Sequence, residues 1–392
     1  MNYRYIILML LFLFAQKLAA QNSMADILKH IETNNLSIQS AKLESEANSI
    51  QAKTGLLPEN PTITYGYFPG NSPIMGVKEL YTINQSLEFP TKYFSKFKLA
   101  GTNQEQSKTS FLLDRMNVLL HAKKLLCDYI YVSQSLLMIS DRKENAETLL
   151  TLYEKQLQAG QVSIIAFNKI QSLYLLLYAK YEKTKQLQND LQSELNSING
   201  GKELDLDGLK YNSGEISSLD DLKKQYQSKH PELMLISLKL KSAAYDESIQ
   251  KQEWLPDILL SYQSEFEPSG NYQGLQAGIS IPLWHQSKKV QAAKANKLYI
   301  GSHLKENETR LIDELDRKFV KAESLKELID TLEKSLSTTS NRMYLDKALE
   351  SGEFSIIDYI NELSFNYELI DLYLETQRIY YKLLAEIYSI NL

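Results

Sequence analysis

Gly160-Gln161-Val162-Ser163-Ile164-Ile165 and Gly352-Glu353-Phe354-Ser355-Ile356-Ile357 are two closely similar stretches, and they determine how the rest of the sequence is interpreted. Four of the six positions are identical in the two stretches. Leu57-Pro58 and Leu255-Pro256 form a second matched pair, each ahead of a strand-like run. Two matches in the same order favour an internal duplication of the chain.

Proline and glycine are distributed unevenly around these stretches. The 9 prolines lie between 58 and 90, at Pro231, and between 256 and 282, so that 91–230 and 283–392 contain no proline, and glycine is scarce there as well. Because proline and glycine are the usual helix breakers, this distribution predicts very long helices. A continuous helix over 91–159 would be ~100 Å long at 1.5 Å per residue.

Apolar residues within the long regions recur at three- and four-residue steps, as in the seam of a coiled coil. The clearest run lies in the second region, and a similar run lies upstream. The predicted seam residues are Leu311, Leu315, Ala322, Leu325, Ile329, Leu332 and Leu336, with Met116, Leu119, Leu126, Ile130 and Leu137 upstream.

Residues 1–20 have the layout of a secretory signal peptide. Arg4 precedes the apolar run 6–14, and Ala19-Ala20 precedes Gln21. A membrane anchor is the alternative, but the run is far shorter than the ~20 residues of a spanning helix. The single cysteine, Cys127, excludes an intrachain disulfide, and Gln21 at the predicted mature N-terminus excludes a lipobox.

Four segments alternate apolar and polar residues with a period of two, at about 61–68, 79–89, 257–266 and 272–281. Each would have one apolar and one polar face. Alternation alone leaves two interpretations open, a small soluble sheet or part of a transmembrane β-barrel. Export and the adjoining long helices favour the barrel. Because the smallest membrane barrels have ~8 strands, four strands require further copies of the chain.

The sequence has few features of an enzyme or a nucleic-acid-binding protein. The net charge is -5, whereas phosphate binding needs clustered Lys and Arg. His30, His121, His230, His285 and His303 form no metal-binding spacing. No phosphate-binding loop and no nucleophile elbow occurs. We therefore expect no catalytic, cofactor or metal site.

With these features the mature chain resembles the TolC family of outer-membrane efflux proteins. The resemblance implies a homotrimer in which three chains share one outer-membrane barrel and a long periplasmic α-helical barrel. It also implies two partners, a periplasmic adaptor protein and an inner-membrane transporter of the RND type. The chain is compact, with short loops near 69–77 and 267–271, and in this it is similar to the CzcC- and CusC-like heavy-metal branch. This similarity implies metal cations as cargo. The implied organisation is a signal peptide at 1–20, repeats at 21–198 and 223–392, and an equatorial linker at 199–222.

The resemblance also assigns roles to the two matched stretches. It places the adaptor-docking tips at Gly160, Val162, Ser163, Ile164, Gly352, Phe354, Ser355 and Ile356. The glycines and serines have a purely structural alternative, because Gly ends helices and Ser caps them. Asp358 and Glu362 would form an acidic ring at the periplasmic aperture. Their alternative is an ordinary solvated helix face.

A rival interpretation is a periplasmic coiled-coil adaptor or structural protein. An adaptor normally has one helical hairpin flanked by β-rich domains, whereas each half of this chain carries only two strand-like segments. The two strand-like segments in each half therefore favour the function that the TolC resemblance implies, a passive outer-membrane exit duct, over an adaptor.

Overall fold

The structure is a computed structural model that describes residues 23–72, 74–212, 216–282, 287–339 and 342–392. The predicted signal peptide lies outside the described residues, as do residues 213–215 of the predicted linker and His285. In the first half of the chain the elements are α1 (Met24–Asn34), α2 (Leu36–Gln51), β1 (Thr62–Pro69), β2 (Val77–Leu87), α3 (Pro90–Gln158) and α4 (Ile164–Ile198).

The second half has the same order of elements, with one additional short helix before its last long helix. It contains α5 (Leu219–Lys229), α6 (Pro231–Gln252), β3 (Asp257–Glu267), β4 (Gly270–Ser280), α7 (Ser287–Thr339), α8 (Arg342–Glu350) and α9 (Ile356–Ile387), followed by a short 3-10 helix (Ser389–Asn391). The 69 residues of α3 and the 53 of α7 occupy the regions poor in proline and glycine. The predicted fold, mainly α with a small β part and a helix–strand–strand–helix unit used twice, is confirmed.

The strands form one antiparallel sheet in the order β1-β2-β3-β4. Its bounds differ from the predicted ones by a few residues, because alternation does not fix where a hairpin turn begins. The central pairing joins the two halves of the chain, with Ile83 opposite Tyr262. Ile63 faces Ile83 on one side, and Leu275 faces Tyr262 on the other. This register puts the alternating apolar residues of all four strands on one face.

Two compact units divide the described chain. The helical unit comprises residues up to Ser40, Asp114–Lys224 and Ile312–Leu392, and the sheet unit comprises Ala41–Leu113 and Gln225–Leu311. Each unit contains segments of both predicted repeats. The division into two repeats and a linker stays a prediction.

Most of the predicted seam residues are buried, but Leu325 and Leu336 are half-buried and Leu137 is exposed. Leu126, Ile130, Leu315 and Ala322 are at most 1% exposed. Leu137 is 69% exposed, so its prediction as a seam residue is wrong. Beyond Val132 the next buried residues of α3 are Ile139, Arg142 and Ala146, which lie on the same side of the helix as Val132, whereas Leu137 lies on another side.

The segment that follows α4 is fixed to the helical unit by its own contacts. The Tyr211 hydroxyl donates to the Cys127 backbone oxygen over 3.0 Å, and the Tyr211 ring stacks on Tyr381 with centroids 4.2 Å apart. Leu204 and Leu206 are buried. These contacts hold residues 204–211 in an ordered position against the helical unit.

The turn between α1 and α2 packs against the end of α4. The Asn35 amide donates to the Ile198 backbone oxygen over 2.7 Å, and the Asn34 amide donates to Asn199 Oδ1 over 3.1 Å. Gly200 has φ +69, and a Cβ added there would lie 2.5 Å from the Asn34 backbone oxygen. Glycine is required at this position both by the backbone conformation and by the close approach.

Candidate functional site

The two matched stretches fold as equivalent turns. Gly160 and Gly352 both have positive φ, 71° and 76°, and both follow the last turn of a helix. Ser163 Oγ accepts a hydrogen bond from the Ala166 N–H over 3.2 Å and so caps α4. Ser355 caps α9 in the same way. Helix termination and capping therefore account for the glycines and the serines without any partner.

Both turns contribute to one apolar cluster of the helical unit, here called the tip core. Val162 and Phe354 are half-buried against it. The Tyr359 hydroxyl donates to Asp346 Oδ1 over 2.7 Å and ties α9 to α8. The buried members of the tip core are Tyr153, Ile170, Leu345, Ile356, Tyr359, Ile360 and Leu363.

The exposed apolar residues at the turns differ in part from those predicted. Ile164 is 56% exposed, as a docking residue must be, whereas Ile356 is buried. Two isoleucines not among the predicted docking residues are exposed, Ile165 at 71% and Ile357 at 49%. They are the last residues of the two stretches, so the repeat itself was the signal that could have identified them.

Asp358 and Glu362 are exposed on α9, one turn apart. The Ser355 hydroxyl donates to Asp358 Oδ2 over 2.6 Å. This carboxylate therefore lies next to the positive end of the helix and helps to fix the cap. Asp358 therefore has a structural role within one chain, as part of the cap of α9, and its carboxylate remains exposed to solvent.

A cluster that the sequence did not predict joins three helices of the helical unit. Arg142 Nη1 of α3 lies 2.8 Å from Asp371 Oδ1 of α9, and Lys180 Nζ of α4 lies 2.8 Å from Asp371 Oδ2. The Arg142 guanidinium also lies over the Tyr367 ring, 4.2 Å from its centroid. The Arg142 side chain is only 3% exposed. We call these four residues the buried-arginine cluster.

The sheet has one apolar and one polar face. On the apolar face Leu275, Ile63 and Ile279 are 87%, 73% and 63% exposed. Tyr65 and Tyr81 pack together on this face with ring centroids 4.9 Å apart. The apolar residues of this face are Ile63, Tyr65, Tyr67, Val77, Tyr81, Ile83, Leu87, Ile258, Leu260, Tyr262, Phe266, Leu275, Ala277 and Ile279, and the same face also carries Glu79, Gln85, Ser264, Asn271 and Gln273. An exposed surface with this many apolar side chains marks an interaction with lipid or with protein.

The outer edges of β1 and β4 are unpaired within the described sheet. Each strand is 8 or 11 residues long and almost wholly exposed. Long exposed edges present a row of free N–H and C=O groups that pair readily with another strand. The sheet therefore carries two open edges as well as an exposed apolar face.

The described residues also bear on metal binding and on membrane-spanning helices. They contain no group of three or more His, Cys, Asp or Glu side chains placed to hold a metal ion. No helix among these residues is both long enough and apolar enough to cross a membrane.

The fold, with two long helical regions and one small sheet, is shared with solved outer membrane channels. The chain resembles CusC, described for its folding and transmembrane channel formation, with a TM-score of 0.78, 13% identity and coverage of 94% of this chain and 92% of that one. It resembles the CmeC outer membrane channel of Campylobacter jejuni with a TM-score of 0.77, 13% identity and coverage of 94% and 85%. It also resembles the open-state MtrE outer membrane channel of Neisseria gonorrhoeae, with a TM-score of 0.75, 13% identity and coverage of 94% of this chain and 88% of that one.

No family model and no curated protein matches the sequence. The predicted resemblance to the TolC family is confirmed in the fold that the chain shares with these channels.

Proposed function

We propose that this protein is the outer-membrane exit duct of a tripartite efflux system, a passive channel and not an enzyme. The observation that carries the proposal is a sheet with an exposed apolar face and two open edges, joined to helices as long as the 69-residue α3. An apolar face of this size suits lipid, and the polar face behind it suits a water-filled lumen.

A trimer supplies what the single sheet lacks. Backbone groups at an open edge have no hydrogen-bonding partner in hydrocarbon, so only a closed barrel is stable in a membrane. Pairing the free edge of β1 with the free edge of β4 in the next copy closes the ring without any uncovered edge. Three copies give twelve strands, as the resemblance to the TolC family implies, which is above the minimum of ~8.

The helix turns are the proposed docking site of a periplasmic adaptor protein, which connects the duct to an inner-membrane RND transporter. Ile164, together with Ile165 and Ile357, offers exposed apolar area for this contact. Val162, Phe354 and Ile356 support the contact from the tip core beneath. Gly160, Ser163, Gly352 and Ser355 fix the turns themselves.

The exposed carboxylates of Asp358 and Glu362 are the proposed acidic lining of the periplasmic aperture. Three copies of each would favour cations over anions. Asp358→Asn is a suitable test, because an Asn side-chain oxygen can still accept the Ser355 hydrogen bond and keep the cap. We expect a smaller cation preference in single-channel recordings. An unchanged preference would remove the aperture role.

Heavy-metal cations are the proposed cargo, on the basis of the sequence resemblance to the heavy-metal branch. A duct needs no tight site for its cargo, so the lack of a metal-ligand group among the described residues is compatible with this proposal. Deleting the gene should sensitise cells to divalent metals and leave their tolerance of dyes and detergents unchanged. The reverse pattern would assign a drug-type cargo.

The duct is separated from the rival adaptor by its location and conductance. We expect the protein in outer-membrane fractions, as a complex that migrates as a trimer until it is heated. The purified complex should form ion-conducting channels in planar bilayers. A periplasmic adaptor would be released with the soluble periplasmic fraction and would not conduct.

A further inference from the structure

The polar face of the sheet is uncharged along its middle. Thr64, Thr82, Gln263 and Gly274 form one row across the four strands. The next row toward the helices continues with hydroxyl and amide side chains, and the Ser261 hydroxyl donates to Asn84 Oδ1 over 2.6 Å. Within the described strands, the charged side chains of this face therefore lie at its two ends.

The hairpin end of the polar face carries an ion cluster formed by Lys78, Glu265 and Glu267, here called the outer charge cluster. The Lys78 ammonium contacts the Glu265 carboxylate and lies 3.1 Å from Glu267 Oε1. The Lys78 side chain remains 41% exposed. The two carboxylates outnumber the one ammonium, so the cluster keeps a net negative charge.

The helix end of the same face is different. The charged residue at this end is Asp257, whose Oδ1 lies 3.0 Å from Lys92 Nζ. The Lys92 side chain is only 4% exposed. One carboxylate is thus matched by one ammonium. Among the described strand residues of the polar face, the outer charge cluster is therefore the group with uncompensated charge.

We propose that the outer charge cluster sets the ion preference of the β-barrel part of the duct, and that Lys78 limits its preference for cations. This inference rests on the proposed function, in which the polar face lines the lumen. Rings of charged side chains govern the passage of ions through narrow pores. The middle of the polar face is uncharged, so few other charged side chains of the barrel act on a permeating ion.

Neutralising Lys78 should have a measurable effect. A charge about 10 Å from a permeating ion in ~0.1 M salt is screened but not abolished. Removing three such ammonium groups, one from each copy, should raise the cation-to-anion permeability ratio about fourfold. Neutralising both carboxylates should change the ratio in the opposite direction.

The experiment is a reversal-potential measurement with the full-length protein in planar bilayers under a potassium chloride gradient. The variants are Lys78→Gln and the double variant Glu265→Gln, Glu267→Gln. Glu79→Gln is the matched control, because Glu79 is adjacent in sequence but projects from the opposite face, where it contacts the Tyr81 hydroxyl at 3.4 Å. Opposite shifts in the two variants and none in the control are the expected result.

Two results overturn the inference, and they are distinguishable. If the wild-type protein conducts and the Lys78→Gln ratio equals that of Glu79→Gln, the cluster does not line the conducting path, while the duct itself stands. If the wild-type protein forms no channels, the proposed function fails and this inference fails with it.

Discussion

Asp371→Asn is the substitution whose effect follows most directly from the contacts of the helical unit. It removes the charge that pairs with Arg142 and Lys180 and leaves the Arg142 guanidinium buried. Removing one partner of a fully buried ion pair costs about 3–5 kcal/mol. Asp371 is 37% exposed, so solvent screens part of its interaction.

The asparagine oxygen can still accept a hydrogen bond from Arg142, and two further contacts of Arg142 remain in the variant. Its guanidinium lies 4.2 Å from the centroid of the Tyr367 ring, and its Nη2 donates to the Tyr367 backbone oxygen over 3.4 Å. A cation–π contact contributes about 0.5–2 kcal/mol. We therefore expect Asp371→Asn to destabilise the packing of α9 on α3 by about 2 kcal/mol.

Hydrogen exchange of the α9 backbone amides around residue 371 measures this local loss. A cost of about 2 kcal/mol corresponds to roughly 30-fold faster exchange where opening and closing are fast compared with exchange, so that the opening equilibrium sets the rate. Asp330→Asn is the matched control, because its partner Lys326 lies one helical turn away at 2.6 Å and both side chains are more than half exposed. An exposed pair of this kind contributes about 0.3–0.5 kcal/mol.

A double substitution separates the loss of the pair from the loss of a carboxylate. Adding Arg142→Met to Asp371→Asn removes the buried charge that has lost its partner, so the double variant should recover part of the exchange protection. Equal exchange rates in Asp371→Asn and Asp330→Asn would refute this explanation of the buried-arginine cluster.

Three further substitutions test the turns and one ion pair of the helical unit. Gly200→Ala should cost about 2 kcal/mol, and its control Gly201→Ala, at φ +80 with nothing within 4 Å of the added Cβ, about 1 kcal/mol; equal losses of melting temperature would contradict the close approach at Gly200. Ser163→Ala should cost about 1 kcal/mol through the lost cap of α4, and unchanged exchange of its first-turn amides would exclude that role. Burial opposes the ionisation of Glu386, but hydrogen bonds from two lysines outweigh it and lower the pKa below its ordinary value of 4.5. Because the folded pKa is the lower one, the stabilisation is complete above pH 4.5 and is lost as the pH falls through the folded pKa. Glu386→Gln should thus be less stable than wild type at pH 7 and equally stable in strong acid, and a difference that persists in acid would contradict the ion pair.

Local signals account for the part of the fold that the sequence predicted. The absence of helix breakers located α3 and α7, and the period of the apolar residues located their buried side. Alternation located all four strands, with Ile63, Ile83 and Leu275 on one face as expected. Such features depend on neighbouring residues in the chain, and they can be recognised without knowing what packs against them.

Contacts between distant segments account for what the sequence did not predict. Arg142 and Asp371 are charged residues on helices, and sequence alone gives no reason to pair them. Leu137 continues the apolar period of α3, yet it is exposed, because beyond Val132 the buried residues lie on the other side of that helix. At the turns, repetition identified both stretches, whereas the exposure of Ile357 and the burial of Ile356 depend on the tip core.

The open edges of β1 and β4 are tested most directly by native mass spectrometry of the full-length protein, purified in detergent from outer membranes. We expect one complex that contains three copies of the chain and dissociates only when the sheet itself unfolds. A protein that remains a monomer and stays soluble without detergent would contradict the closed barrel, and the apolar sheet face would then need another explanation.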